Sequence, residues 1–221
     1  MRVGRMLGVF AAVALLALLG QPASAATVEG LKINSSSVGS GPTIVFVHGW
    51  TCDSSSWTAQ VPAFAKDHRV ITLDLPGHGQ SASPKDGKLS MDLFARAVEA
   101  VRAEAGADRI VLVGHSMGAP VIRQYAHLYP QHVAGLVAVD GPLDIRVFPT
   151  ELPPGFAASF TGPEGRAARE GMIRSMFIAE TPPALQEKIL AMMLAAPEAT
   201  AVGAMNATFD PVNRWTDVIQ S

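Results

Sequence analysis

The sequence predicts an α/β protein: a mostly parallel sheet with helices on both faces. Three observations carry this. Strand-length runs such as "TIVFV" (43–47), "RVITLDL" (69–75) and "RIVLVG" (109–114) are too apolar to have a solvated face, as expected of strands covered on both sides. Helix-like stretches alternate with them, which implies parallel strands joined by right-handed crossovers. The third run passes directly through "GHSMG" (114–118) into another helical stretch, a sharp strand-to-helix turn around a serine.

Taken in order, "VEGLKINSSSV" (28–38) reads as a strand that ends in a polar turn, Gly39 to Pro42, before the strand at 43–47. "SSSWTAQVPAFAKDH" (54–68) is helix-like, with Trp57, Val61 and Phe64 at helical spacing. The strand at 69–75 leads into a loop, "PGHGQSASPKDGK". A helix follows over 90–106, with Ser90 as its N-cap and Leu93, Phe94, Ala97, Val98 and Val101 on one apolar face. The strand at 109–114, a helix from about Met117 to Leu128 ending before Pro130, and the strand "VAGLVAVD" (133–140) complete the alternation. From Gly141 onward prolines and glycines break the chain, and three short helical stretches (166–180, 182–197 and 198–209) follow without a strand pattern.

The first 25 residues read differently. Arg2 and Arg5 precede an apolar run from Met6 to Leu19, then Ala23-Ser24-Ala25. This is the pattern of a secretory signal peptide cleaved after Ala25, and it predicts a periplasmic or secreted protein with no stable membrane anchor after cleavage. The apolar run is shorter than the ~20 residues a spanning helix needs. Expected domains are therefore the signal at 1–25, an α/β core at 26–141, and a helical region with the start of a return to the core at 142–221.

With 48% hydrophobic and 16% charged residues, the chain has the composition of a folded protein. Loss of Arg2 and Arg5 with the signal takes the formal charge from −2 to −4, which gives no electrostatic reason to expect nucleic acid as a partner. The single cysteine, Cys52, reads as a small buried loop residue. No ligand-spaced His/Cys cluster and no dinucleotide-type glycine motif is present, so no metal or cofactor is expected.

Ser116 is the candidate catalytic residue. A serine at a strand-to-helix turn with glycines two positions to either side, Gly114 and Gly118, projects its hydroxyl at the carboxyl end of the sheet. The following helix offers the Met117 backbone N–H, with the positive helix end behind it, to a developing oxyanion. The loop after the strand at 43–47 offers a second donor, the Trp50 N–H, where Gly49 lets the backbone turn.

With these residues in view, the chain resembles the α/β-hydrolase fold family, in its esterase, lactonase and perhydrolase-like branch. "HGWTCDSSSW" (48–57) matches that family's oxyanion loop, "DLPGHGQS" (74–81) its next turn, and "GHSMG" its nucleophile elbow, in family order and spacing. The resemblance covers about residues 27–141, and the helical stretch beyond it is similar to the family's lid. It implies Ser116 as nucleophile, Trp50 and Met117 as oxyanion donors, and a small-molecule ester or lactone as substrate. Relatives such as epoxide hydrolases carry aspartate at the elbow, so the serine implies acyl chemistry instead. An inactive remnant or binding module of the same fold, and a perhydrolase-like activity, are the alternatives.

The remaining candidates have plainer readings. His48 and His78 sit in turns beside glycines and organise loops; His115 lies within the elbow, where its ring cannot easily reach the Ser116 hydroxyl. Asp74 resembles a residue that tethers its loop. Asp140 ends a strand at which some relatives place the triad acid, although the family more often places it one strand later. Met172, Met176, Met192, Met193 and Met205, with Phe160 and Phe177, either pack the helices together or wall an acyl-binding cavity. No histidine follows His132, and the resemblance places the triad acid and histidine in final strands and helices that this sequence lacks. The strand at 133–139 is then expected to be an exposed apolar edge.

Overall fold

The computed structural model describes residues 26–144 and 152–213; the leader expected at 1–25 lies outside them. Its centre is a five-stranded sheet of β3 (Ser35–Val38), β4 (Thr43–Val47), β5 (Arg69–Leu73), β6 (Ile110–His115) and β7 (Val133–Val139), in the order β3-β5-β4-β6-β7. The pairs β4–β5, β4–β6 and β6–β7 are parallel, and only β3 runs antiparallel, against β5. The mostly parallel sheet expected from the apolar runs is thus present.

The period of two along each strand divides the core into two layers. Val45 and Val47 of β4, Ile71 and Leu73 of β5, and Ile110 and Leu112 of β6 face the larger layer. There they meet α2 (Met91–Glu104) through Phe94, Val98 and Val101, and α3 (Gly118–Leu128) through Val121, Ile122 and Tyr125. The alternate residues Ile44, Phe46, Val70 and Val113 face the other way and pack with Trp57 and Val61. Helices cover both faces, but among the described residues that second face carries only a 3-10 turn, Ser54–Trp57, and the four-residue α1, Val61–Phe64.

Local chemistry explains where elements begin. Ser90 caps α2 by accepting a hydrogen bond from the Leu93 N–H at 3.1 Å, as its sequence position predicts. Two expectations need correction. The run at 28–38 is not one strand: β1 (Thr27–Val28) and β2 (Leu31–Lys32) form a hairpin before β3. Its two turn residues, Glu29 and Gly30, have φ of +50° and +78°, the geometry of a two-residue hairpin loop. The expected helix over 54–68 is broken into the 3-10 turn and α1, with Pro62 in the first turn of α1 restarting the backbone.

Beyond β7, α4 (Gly165–Ser175), α5 (Pro183–Ala195) and α6 (Glu198–Phe209) pack over the carboxyl ends of the strands. Polar ties fix this helical segment to the loops beneath. The Trp50 indole N–H donates to the Ala201 carbonyl at 2.8 Å, the Thr200 hydroxyl donates to the Gly77 carbonyl at 2.8 Å, and the Ser55 and Ser56 hydroxyls each lie 3.5 Å from Met192 Sδ. Trp50 also packs against Phe160 in a tilted arrangement, with ring centroids 5.2 Å apart. At the other side of the sheet, β7 pairs with β6 alone among the described residues, and Val137 and Val139 are 45% and 40% exposed. The strand is the apolar edge that its sequence predicts.

Candidate active site

Ser116 has φ of +51°, a left-handed conformation that costs a non-glycine residue on the order of 1–2 kcal/mol. Close packing on every side enforces it. A Cβ on Gly114 would stand 2.3 Å from the Gly118 carbonyl oxygen, and one on Gly118 would stand 2.4 Å from the Val47 carbonyl oxygen. A Cβ on Gly49 would approach Ser116 Cβ to 3.1 Å. The glycines flanking the serine are therefore there so that β4, β6 and α3 can meet. The Ser116 N–H donates to the Val139 carbonyl at 3.0 Å, which ties the turn to the end of β7, and α3 begins at Gly118, with Met117 as its N-cap.

Neither of two further features was foreseen. Asp140 also has a positive φ, +46°, and a Cβ on Gly141 would stand 2.4 Å from the Ser116 carbonyl oxygen. The chain leaving β7 thus packs against the serine as tightly as the loop leaving β4. The dipeptide Gly141-Pro142 directly after an apolar strand was the available signal.

On the β4 side, the loop from His48 turns sharply: Cys52 N–H donates to the Gly49 carbonyl at 3.2 Å, and Thr51 has φ of +54°. His48 is fully buried and holds two loops at once. Its Nε2 accepts from the Leu75 N–H at 3.0 Å, so the proton sits on Nδ1, which donates to the Gly49 carbonyl at 2.9 Å. Burial lowers its basicity, outweighing the Gly49 bond and the nearby carboxylates. His78, its ring centroid 5.0 Å from that of His48, is pushed down to about 3, by burial first and by the charge that His48 would carry second.

Asp74 anchors the same region. It accepts from the Ser54 N–H at 2.7 Å, from the Gln80 N–H at 2.9 Å and from the Asn34 amide at 2.9 Å. Burial would raise its pKa, but these donors, Gln80 first, outweigh it and hold the carboxyl below its ordinary value. The loop-organising roles read for His48 and Asp74 match this geometry. Cys52 is buried, and burial raises its thiol pKa to about 11, which makes it an inert packing residue at neutral pH.

The structure brings Ser116, Met117 and Trp50 together on the wall of one cavity of about 290 Å³. Among the described residues, neither the Trp50 N–H nor the Met117 N–H donates to a protein acceptor. The Trp50 side chain is engaged elsewhere, with Ala201 and Phe160, so its anchored ring fixes where the backbone N–H stands. Of the methionines weighed as a cavity wall, Met172, Met176 and Met205 line it; Met193 is buried in the core and Met192 meets Ser55 and Ser56. Asp140 also lines the cavity.

No histidine ring nitrogen hydrogen-bonds to Ser116 Oγ among the described residues. His48 and His78 are engaged in the interior, and His132 Nδ1 pairs with the Asp108 carbonyl at 2.8 Å. His115 is neighbour to the serine, and burial lowers its pKa while Asp140 works in the opposite direction. No group of three or more His, Cys, Asp or Glu among the described residues is arranged to hold a metal ion.

Comparison with known proteins adds a family. A model for the "alpha/beta hydrolase fold" matches residues 42–211. The acetyltransferase component of the acetoin cleaving system of Cupriavidus necator is 31% identical over 153 residues, which is 69% of this chain and 40% of that protein. Bifunctional epoxide hydrolase 2 of Sus scrofa is 27% identical over 115 residues, 51% of this chain and 21% of its own. The chain thus spans less than half the length of these curated relatives. Among solved structures, an enzyme described as degrading N-acyl homoserine lactones superposes with a TM-score of 0.70 at 27% identity, covering 84% of this chain and 73% of its own. A thermophilic esterase from Thermogutta terrifontis gives 0.70 at 26%, covering 87% and 72%. The enol-lactonase of Burkholderia xenovorans, at 20% identity with a TM-score of 0.73 over 86% and 74%, shares the fold.

Proposed function

The chain belongs to the α/β-hydrolase fold family, and on that footing we propose that it is a serine hydrolase cleaving a small carboxylic ester or lactone through an acyl-enzyme on Ser116. One observation carries the reading: Ser116 is held at φ +51° on the wall of a cavity that it shares with Trp50 and Met117, whose N–H groups have no other acceptor among the described residues. In the step proposed, Ser116 Oγ bonds to the substrate carbonyl carbon as its proton passes to a base. The carbonyl oxygen takes up the electron pair and is stabilised by the N–H groups of Met117 and Trp50. Collapse of that intermediate expels the alcohol, which takes the proton, and water then releases the acid by the same sequence.

No base is assigned to this step, because no described imidazole hydrogen-bonds to the hydroxyl. That same observation favours a second reading, a binding module that keeps the pocket without turnover. A fluorophosphonate probe separates the two, since it labels only an activated serine. Labelling that is lost in Ser116→Ala supports the hydrolase; a folded chain that stays dark supports the binding module.

Export is part of the proposal, resting on the residues at 1–25 alone. Expression in a bacterial host and terminal sequencing of the periplasmic protein test it: a mature chain beginning at Ala26 is expected, and a cytoplasmic chain that keeps its leader would contradict it.

A further inference from the structure

We infer that the cavity beside Ser116 is a site for an unbranched, uncharged acyl chain of medium length, with the acyl group lying under the helical segment and the leaving group on the Asp140 side. The inference rests on the serine-hydrolase reading for its catalytic meaning, but the binding it describes does not need catalysis.

The walls separate by chemistry. One end is the catalytic floor: Ser116, Met117 and Trp50, with Asp140 beside them. The rest is apolar, with Leu152, Phe156, Met172, Met176 and Met205 as its principal walls. Three of these are methionines, unbranched side chains with three rotatable bonds that adapt to a flexible chain rather than moulding around a fixed ring. Thr208 is the one hydroxyl near them, and it is already committed, donating to the Ala204 carbonyl at 2.8 Å.

Volume bounds the chain. At roughly 30 Å³ per water-sized group, a cavity of about 290 Å³ holds about ten non-hydrogen atoms, the size of an octanoyl group. Two lining residues are exposed, Asp140 and Met176, the latter at 53%. The exposed parts of the lining are therefore of opposite character, a carboxylate and a methionine. A polar alcohol leaves past the carboxylate, and an acyl chain longer than the cavity emerges past the methionine. Asp140 is the only charged residue in the lining among those described, and on the leaving-group side it repels a leaving group that carries its own carboxylate.

Binding of straight-chain carboxamides, acetamide to decanamide, to Ser116→Ala measured by calorimetry at pH 7.5 tests this. Affinity should rise by about fourfold per methylene up to octanamide. It should then level off rather than fall, because the Met176 end is open. N-octanoylglycine, whose carboxylate lies on the leaving-group side, should bind at least tenfold more weakly than N-octanoylglycinamide, and Asp140→Asn should remove most of that difference. Met205→Trp, which fills the buried wall, should abolish the chain-length gain. Met176→Ser, at an exposed position that tolerates change, should reduce it even if Met205→Trp fails to fold.

Affinity that does not change along the series overturns the acyl site. A sharp fall beyond octanamide overturns the open end, and equal binding of N-octanoylglycine and N-octanoylglycinamide overturns the role of Asp140. The catalytic reading fails separately: a wild-type serine left dark by the fluorophosphonate, with chain-length-dependent binding intact, removes the acyl-enzyme and leaves the site.

Discussion

The strands β4 and β7 flank the same strand, β6, in the same parallel sense, and both are mainly apolar. Yet all five residues of β4 are buried, while the last three of β7 are exposed. The loops that leave them differ in the same way. The β4 loop is held by side chains: His48 bonds both Gly49 and Leu75, Asp74 gathers three donors, and Trp50 reaches Ala201. The β7 exit is held by backbone contact with the elbow, through Val139 and the close approach of Gly141. Hydrophobic composition thus makes both into strands, but burial depends on neighbours, and on the β4 side polar anchors fix a donor in place.

The largest effect expected from this difference comes from adding volume on each flank. In Gly118→Val the new side chain would begin 2.4 Å from the Val47 carbonyl oxygen and 2.9 Å from that of His48, both backbone atoms that cannot step aside. A loss of about 3 kcal/mol or more is expected, enough to unfold a marginal domain. On the other flank, a Cβ on Gly135 has its nearest neighbour at 3.9 Å, the Val111 side chain, so Gly135→Val should cost no more than about 1 kcal/mol. Thermal unfolding followed by circular dichroism compares them. Equal losses would mean that strand β7 at Gly135 is packed as tightly as the contact of α3 with β4 at Gly118.

Acid should act next most strongly, and on the β4 side it acts through His48 and His78. His48 and His78 are kept neutral by burial, His78 down to about 3, whereas both titrate near 6.5 when unfolded. Between those values the unfolded chain binds more protons than the folded one. Stability is therefore complete above about pH 6.5 and declines as pH falls toward the folded values, by up to about 1.4 kcal/mol per pH unit for each ring. His78→Phe removes one of them at a position already beside Phe94, 5.9 Å away. In urea unfolding at pH 7.5 and pH 5.0, this variant should lose about 2 kcal/mol less than the wild type on acidification. An unchanged pH dependence would show that His78 is not held neutral in the fold.

Much of this contrast was legible in the sequence, and the part that was not has a physical reason. Apolar runs specify parallel strands because nothing else buries them, and the glycines around Ser116 specify a crowded turn because a Cβ would collide there. The roles of His48 and Asp74 were readable because each lies in a short turn with glycines. The break in the helix at 54–68 was not, since its apolar spacing continues from Trp57 to Val61 while the helical backbone is interrupted at 58–60. Asp140 was legible as a strand end but not as a cavity wall, because its φ of +46° depends on Gly141 meeting Ser116, a contact between residues 25 positions apart. Ties such as Trp50 to Ala201 join segments with no shared pattern, so sequence periodicity says nothing of them.

The smallest change in stability should come from the exposed edge itself, and there the readout is association rather than unfolding. Val137 lies opposite Val113 in the β6–β7 register and is 45% exposed. An open apolar edge is a template for another strand, and a lysine on it is the usual obstacle. The wild-type chain should therefore elute from size-exclusion chromatography as self-associated material, and Val137→Lys should move it toward the monomer while altering stability by no more than about 0.5–1 kcal/mol. A wild-type chain that elutes as a clean monomer at low concentration contradicts the open edge. So does a loss of several kcal/mol in Val137→Lys, for that would mean the side chain is covered by residues outside those described, and β7 would then belong with β4 as a fully buried strand.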